Sequence, residues 1–183
     1  MDFQWIESVL VGQPLNKTKT ITSMALLAAL YVLLNSLIIN LSPTLRISFS
    51  FVALAVSCSL YGFLPNVFFC LVVDFLGFIV HPDGSYMPAF ALVLIVKALI
   101  YSFFFYNQKI TITKIICGQL LVAILANILF NSLILAFMYQ MPYWVSVSQR
   151  LLKNALCFPI ECFVLWLFFN LKERLVKQTH LFQ

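Results

Sequence analysis

Six stretches of this chain, roughly 21–41, 47–64, 67–80, 88–106, 115–139 and 151–171, are apolar at nearly every position. Few folds accommodate that pattern. A membrane barrel strand alternates apolar and polar residues over about ten positions. These runs are apolar on both parities and are longer than that, so each reads as a helix. A helix that crosses a bilayer needs roughly 20 apolar residues. The expected fold class is therefore an all-α integral membrane protein, a bundle of six transmembrane helices. It forms one transmembrane domain over residues 1–183 with short loops. Composition agrees: only 9% of the residues are charged, against roughly 25% in soluble domains.

Other classes fall away on chemistry. Cys58, Cys70, Cys117, Cys157 and Cys162 all lie in apolar runs and form no CxxC. They read as small apolar packers rather than a disulfide framework or a zinc site. His81 and His180 are too few and too far apart for a metal centre. There is no GxxxxGK[ST], so no ATP site of the P-loop kind, and no HExxH. The chain needs no cofactor of its own, and nothing points to nucleic acid. Before Pro14, Phe3, Trp5, Ile6, Val9 and Leu10 stand at near-helical spacing. That segment is either a short helix in the membrane interface or an unordered terminus.

Six spans put both termini on one side. Lys17, Lys19, Lys109, Lys114, Lys172, Arg174 and Lys177 belong to that side, and Arg46, Arg150 and Lys153 to the other. The excess of cations predicts cytoplasmic termini. Tyr86, Tyr139, Tyr143 and Trp144 fall near the outer edge, as interfacial anchors or as walls of a ligand pocket.

The polar residues inside the runs carry the functional signal, because each is costly against lipid. Asp74 and Lys97 read either as a structural ion pair or as ligand contacts. Asn127 and Asn131, four apart on one helix face, serve as interhelical glue or read a ligand. Glu161 follows Pro159 and suits a structural role. Ala25 and Ala29, with Ala28 beside them, form a small-residue patch that lets another helix approach closely. That helix belongs to this chain or to a partner.

Four segments then form an ordered series: Arg46-Ile47-Ser48-Phe49-Ser50-Phe51, Leu60-Tyr61-Gly62-Phe63-Leu64-Pro65-Asn66, Asp74-Phe75-Leu76-Gly77 and Gly84-Ser85-Tyr86-Met87-Pro88-Ala89-Phe90. The series resembles the substrate-binding S components of energy-coupling factor vitamin transporters, most closely the folate-specific ones. Their similar series reads roughly I-x-F-x-F, G-x-x-x-G-P, D-L-L-G and G-x-x-x-P-G-F-T-L. Phe63, Ala89 and Ser102 depart from it and fill space where the family has smaller residues.

The resemblance implies a non-enzymatic subunit of a bacterial plasma membrane importer. It would bind a vitamin, most readily folate, from the outer side. It would then dock through Ala25, Ala28 and Ala29 on a transmembrane T subunit, driven by two cytoplasmic ATPases that use the ATP. Arg46, Lys97 and Arg150 would pair with the folate carboxylates. Tyr86, Phe90 and Trp144 would stack on the ring. Asp74, Asn127 and Asn131 would read the donor–acceptor edge of the pterin. The expected pocket lies in the outer half, under the loops near 42–45, 81–86 and 140–150. Three other readings are another vitamin or related heterocycle, a membrane enzyme using Asp74 and Glu161 as acid and base, and a ligand-free assembly subunit.

Overall fold

A computed structural model describes residues 3–14, 18–37, 39–42, 45–80, 86–140 and 142–180. The chain begins with α1 (Phe3–Val11) and α2 (Thr18–Ser36). A two-stranded hairpin, β1 (Ile39–Ser42) and β2 (Leu45–Ile47), follows. Then come α3 (Ser50–Tyr61), α4 (Phe63–Val80) and α5 (Ala89–Phe105). Next is one continuous helix made of α6 (Ile112–Leu121), a π-helical stretch (Val122–Phe130) and α7 (Asn131–Tyr139). The last element is α8 (Tyr143–His180).

The segments Thr18–Ser36, Phe63–Val80, Ile112–Met138 and Tyr143–Lys172 are long and apolar enough to cross a bilayer, whereas Ser50–Tyr61 and Ala89–Phe105 are apolar but shorter. The twelve residues of α3 rise only about 18 Å, well short of a hydrocarbon core of about 30 Å.

Two boundaries differ from the apolar runs. The first run extends to residue 41, yet α2 ends at Ser36, and residues 39–42 and 45–47 form the paired strands. Ile39 pairs with Ile47 and Asn40 with Arg46, antiparallel, with an irregularity before Ser42. β-Branched isoleucines favour extended backbone, and Pro43 cannot sit inside a helix. The two strands satisfy each other's backbone groups where the helix stops. The last helix starts earlier than its apolar run, at Tyr143, directly after Pro142, whose carbonyl accepts from Val145 N at 3.0 Å.

The protein is apolar outside and small or polar inside. Leu26 is 73% exposed, and Leu33, Phe68, Phe75, Leu92 and Phe137 are exposed with it. Ala53, Ala55, Ser57, Cys58, Asn66, Ala98, Ser102, Ala126 and Ser132 are buried. A water-soluble domain inverts that arrangement. In lipid there is no gain from hiding leucine, and small residues let helices approach closely. Some of the buried polar atoms find partners on neighbouring elements. Ser57 Oγ donates to Asn66 Oδ1 at 2.6 Å, and Asn66 Nδ2 donates to the Gly62 carbonyl at 2.6 Å. At the other side of α3, Lys172 Nζ donates to Ser59 Oγ at 3.1 Å, tying α8 to α3.

The segment before Pro14 is a helix. Val9 is buried, and the Trp5 ring meets Phe103 edge-on at 4.9 Å. Gln13 N donates to the Tyr61 carbonyl at 2.9 Å. Gly12 and Gly62 touch at this point with φ of +64° and +79°. A Cβ on Gly62 would lie 2.6 Å from the Gly12 Cα, so glycine is needed here both for conformation and for space. The contact pins α1 beneath the α3–α4 turn.

Candidate ligand-binding site

The hairpin marks one end of the bundle. Measured from the helix ends on that side, Asp74, Lys97, Arg150 and Asn131 lie about 9, 12, 10 and 12 Å deep at 1.5 Å per residue. All four lie within about 12 Å of the hairpin-side ends of their helices, a polar layer on that side of the bundle.

On one side of this layer, α2, α3 and α4 contribute hydroxyls and an amide. The Ser48 hydroxyl bridges Asn35 Oδ1 at 3.3 Å and Ser50 Oγ at 2.9 Å. Gly77 lets Asn35 close in: a Cβ there would meet Asn35 Nδ2 at 3.4 Å. Asp74 accepts from Tyr86 Oη at 3.0 Å. The Tyr86 ring is held by Phe75 at 6.1 Å and Phe78 at 5.1 Å. Burial of the hydroxyl, reinforced by the Asp74 bond, pushes the Tyr86 pKa up. Asp74 is thus paired with Tyr86 rather than with Lys97.

On the other side, α5, the α6–α7 helix and α8 converge. Lys97 is half-buried in the middle of α5. One turn along α5 from Lys97, the buried Tyr101 donates from Oη to Gln119 Oε1 at 2.8 Å. Gln119, itself 1% exposed, donates from Nε2 to Glu161 Oε2. This chain of bonds orients the Glu161 carboxylate, deeper along α8 than the layer. Asn127 Nδ2 donates to Asn154 Oδ1 at 3.3 Å.

Other expected residues are placed as follows. Phe90 is half-buried against the core near the start of α5. Trp144 is 77% exposed, its ring on Tyr143 at 5.9 Å, and faces away from the polar layer as an interfacial anchor does. Arg46 sits in β2 opposite Asn40. Its side chain, that of Tyr139 and the loop 81–85 lie outside the described residues. The small-residue patch divides: Ala28 is 7% exposed and packs inward, whereas Ala25 and Ala29 are exposed. Among the described residues no group of three metal-ligating side chains occurs.

The reading of the sequence passed over Asn154, Gln119, Tyr101, Asn35 and Ser48. Asn154 stands four residues after Arg150 and so on the same helical face, a spacing that could have singled it out. An apolar cavity of about 250 Å³ between α6 and α8, lined by Ile112, Ile115, Ile116, Cys162, Phe163 and Trp166, has no polar group to orient a ligand and lies apart from the layer.

The family model described as "ECF transporter, substrate-specific component" matches residues 19–169. The chain belongs to that family. The matched span of this S component begins in α2 and ends in α8, leaving α1 outside. Among curated proteins, the S component is 29% identical over 161 residues to the folate transporter FolT of Clostridium novyi (strain NT), covering 88% of this chain and 94% of that one. It is 28% identical to the folate transporter FolT of Leuconostoc mesenteroides subsp. mesenteroides, covering 84% and 85%. Among solved structures it resembles FolT bound with folic acid at a TM-score of 0.77 and 28% identity, covering 84% of this chain and 94% of that one.

An S component is a binding subunit of a transporter and not an enzyme. Asp74 and Glu161 are consistent with that. Each is bonded to a different neighbour, Tyr86 and Gln119, on opposite sides of the layer, and they do not form an acid–base pair.

Proposed function

We propose that this S component captures folate at the hairpin end of the bundle and delivers it to an energy-coupling module. The observation that carries the reading is the polar layer, with Lys97, Arg150 and Asn131 about 10–12 Å from the hairpin-side ends of their helices, in a fold similar to one solved with folic acid. Folate brings two carboxylates and a flat heterocycle. Lys97 and Arg150, with Arg46 on the hairpin above, supply charge-assisted hydrogen bonds that are strong in a partly dry site. Tyr86 and Phe90 supply ring faces, while Asp74, Asn127 and Asn131 supply polar atoms for the pterin.

The hairpin end faces outward and both termini face the cytoplasm, in a bacterial plasma membrane. The exposed Ala25 and Ala29 are the face on which a transmembrane T subunit docks, since side chains this small permit close helix contact. Two ATPase subunits provide the energy, which this chain has no P-loop to harvest.

Purification in mild detergent followed by mass spectrometry of the retained small molecule tests the proposal directly. Folate should be retained, and added folic acid should bind in calorimetry at one site. A different retained heterocycle would reassign the vitamin. Turnover of a substrate by the isolated chain would overturn the reading.

A further inference from the structure

Among the described residues four buried side-chain atoms have no hydrogen-bond partner: the hydroxyls of Ser102 and Ser132 and two amide atoms at and just below the polar layer. Asn131 Oδ1 and Asn154 Nδ2 are both shielded from solvent, and neither makes a hydrogen bond among the described residues. Buried polar atoms of native proteins are nearly always paired, so an orphan acceptor one turn from an orphan donor asks for a visitor. Their placement is not accidental packing slack. The Asn127–Asn154 bond holds the Asn154 oxygen and leaves its nitrogen pointing elsewhere. The α7 and α8 segments follow one another closely in the chain and pack antiparallel. With Asn127 opposite Asn154, the next turn toward the hairpin end brings Asn131 opposite Arg150. The orphan acceptor therefore sits one turn above the orphan donor, beside a guanidinium. It also follows directly on the π-helical stretch Val122–Phe130, a distortion frequent at functional sites.

We propose that Asn154 and Asn131 together read a lactam edge of the ligand. Asn154 Nδ2 donates to the ring carbonyl oxygen, and Asn131 Oδ1 accepts from the adjacent ring N–H. This deepens the folate reading and rests on it. The 4-oxo group and N3–H of folic acid are such an acceptor–donor pair, whereas a 4-amino analogue presents a donor where the carbonyl stood and has no N3–H. A site built this way rejects the analogue, because its buried groups would be left facing the wrong partner.

The experiment uses the full chain in detergent, with folic acid and its 4-amino analogue as probes. Wild type should bind folic acid at least tenfold more tightly than the analogue. Asn131→Leu should lose tenfold or more in folic acid affinity while its thermal stability without ligand stays level or rises. It removes an atom that had no partner, and a merely structural asparagine would instead lower stability. Asn154→Asp keeps an oxygen for Asn127 and replaces the donor, so the preference for folic acid over the analogue should fall tenfold or more. Wild type binding folic acid, with both variants keeping its affinity and preference within twofold, would overturn this assignment and leave the folate reading intact. Absence of folic acid binding by folded wild type would overturn both.

Discussion

Gln119 on α6 accepts a hydrogen bond from Tyr101 on α5 at 2.8 Å and donates one to Glu161 on α8. One side chain thus joins three helices and fixes a carboxylate among them. A hydrogen bond to a charged group is worth about 1.5–3 kcal/mol, against about 1 for a neutral pair. Gln119→Leu removes both bonds and should lower stability by about 2–4 kcal/mol, whereas Tyr101→Phe removes the neutral bond and should cost about 1. Thermal unfolding of the two variants in one detergent compares them. A larger loss in Tyr101→Phe would mean that Glu161 does not depend on Gln119.

The docking face is predicted to be one-sided. Ala25 and Ala29 are exposed while Ala28 is buried. Ala25→Trp and Ala29→Trp should abolish folate uptake in cells and leave folic acid binding by the purified chain unchanged, because the bulk projects where a partner helix would lie. Ala28→Trp should instead damage the fold, since overpacking a core costs about 1–3 kcal/mol or more. Uptake that survives both exposed substitutions would place the T subunit elsewhere.

Arg46 stands on the hairpin opposite Asn40, at the mouth of the polar layer. If it pairs with a folate carboxylate, Arg46→Ala weakens binding by about 1.5–3 kcal/mol, tenfold or more in Kd. Lys114 is the control: its Nζ bonds the Lys109 carbonyl at 3.2 Å, at the far end of the bundle, and Lys114→Ala should bind folic acid as wild type does. Equal affinities for both variants in calorimetry would assign Arg46 to the membrane surface.

Attachment of α1 depends on the Gly12–Gly62 contact. Gly62→Ala places a methyl group 2.6 Å from the Gly12 Cα at a φ of +79°, and such strain costs about 1–3 kcal/mol. In a background lacking the five native cysteines, Val9→Cys should resist maleimide, because Val9 is 2% exposed. Adding Gly62→Ala should make it reactive. Unchanged protection would show that the helix is held by Trp5 and Val9 packing alone.

Membrane insertion of the bundle was legible in the residues themselves. Partition of a helix into lipid sums local side-chain transfer energies, so runs such as 67–80 and 115–139 announce themselves within one window. The same local chemistry marked Asp74, Lys97, Asn131 and Glu161, because any polar group in such a run is costly wherever the helix points. Which neighbour each one meets was not local. Asp74 and Lys97 suit either an ion pair or ligand contacts by sequence, and Asp74 is bonded to Tyr86. Asn154, silent in the sequence, is met by Asn127 across 27 residues, and Glu161 by Gln119 across 42. Helix rotation decided these pairings and separated Ala28 from Ala25 and Ala29. Rotation follows from packing of several helices at once, and no single apolar run contains that information. The hairpin at 39–47 has the same origin: its isoleucines are apolar enough to extend a span, and only pairing between its two strands made leaving the helix favourable.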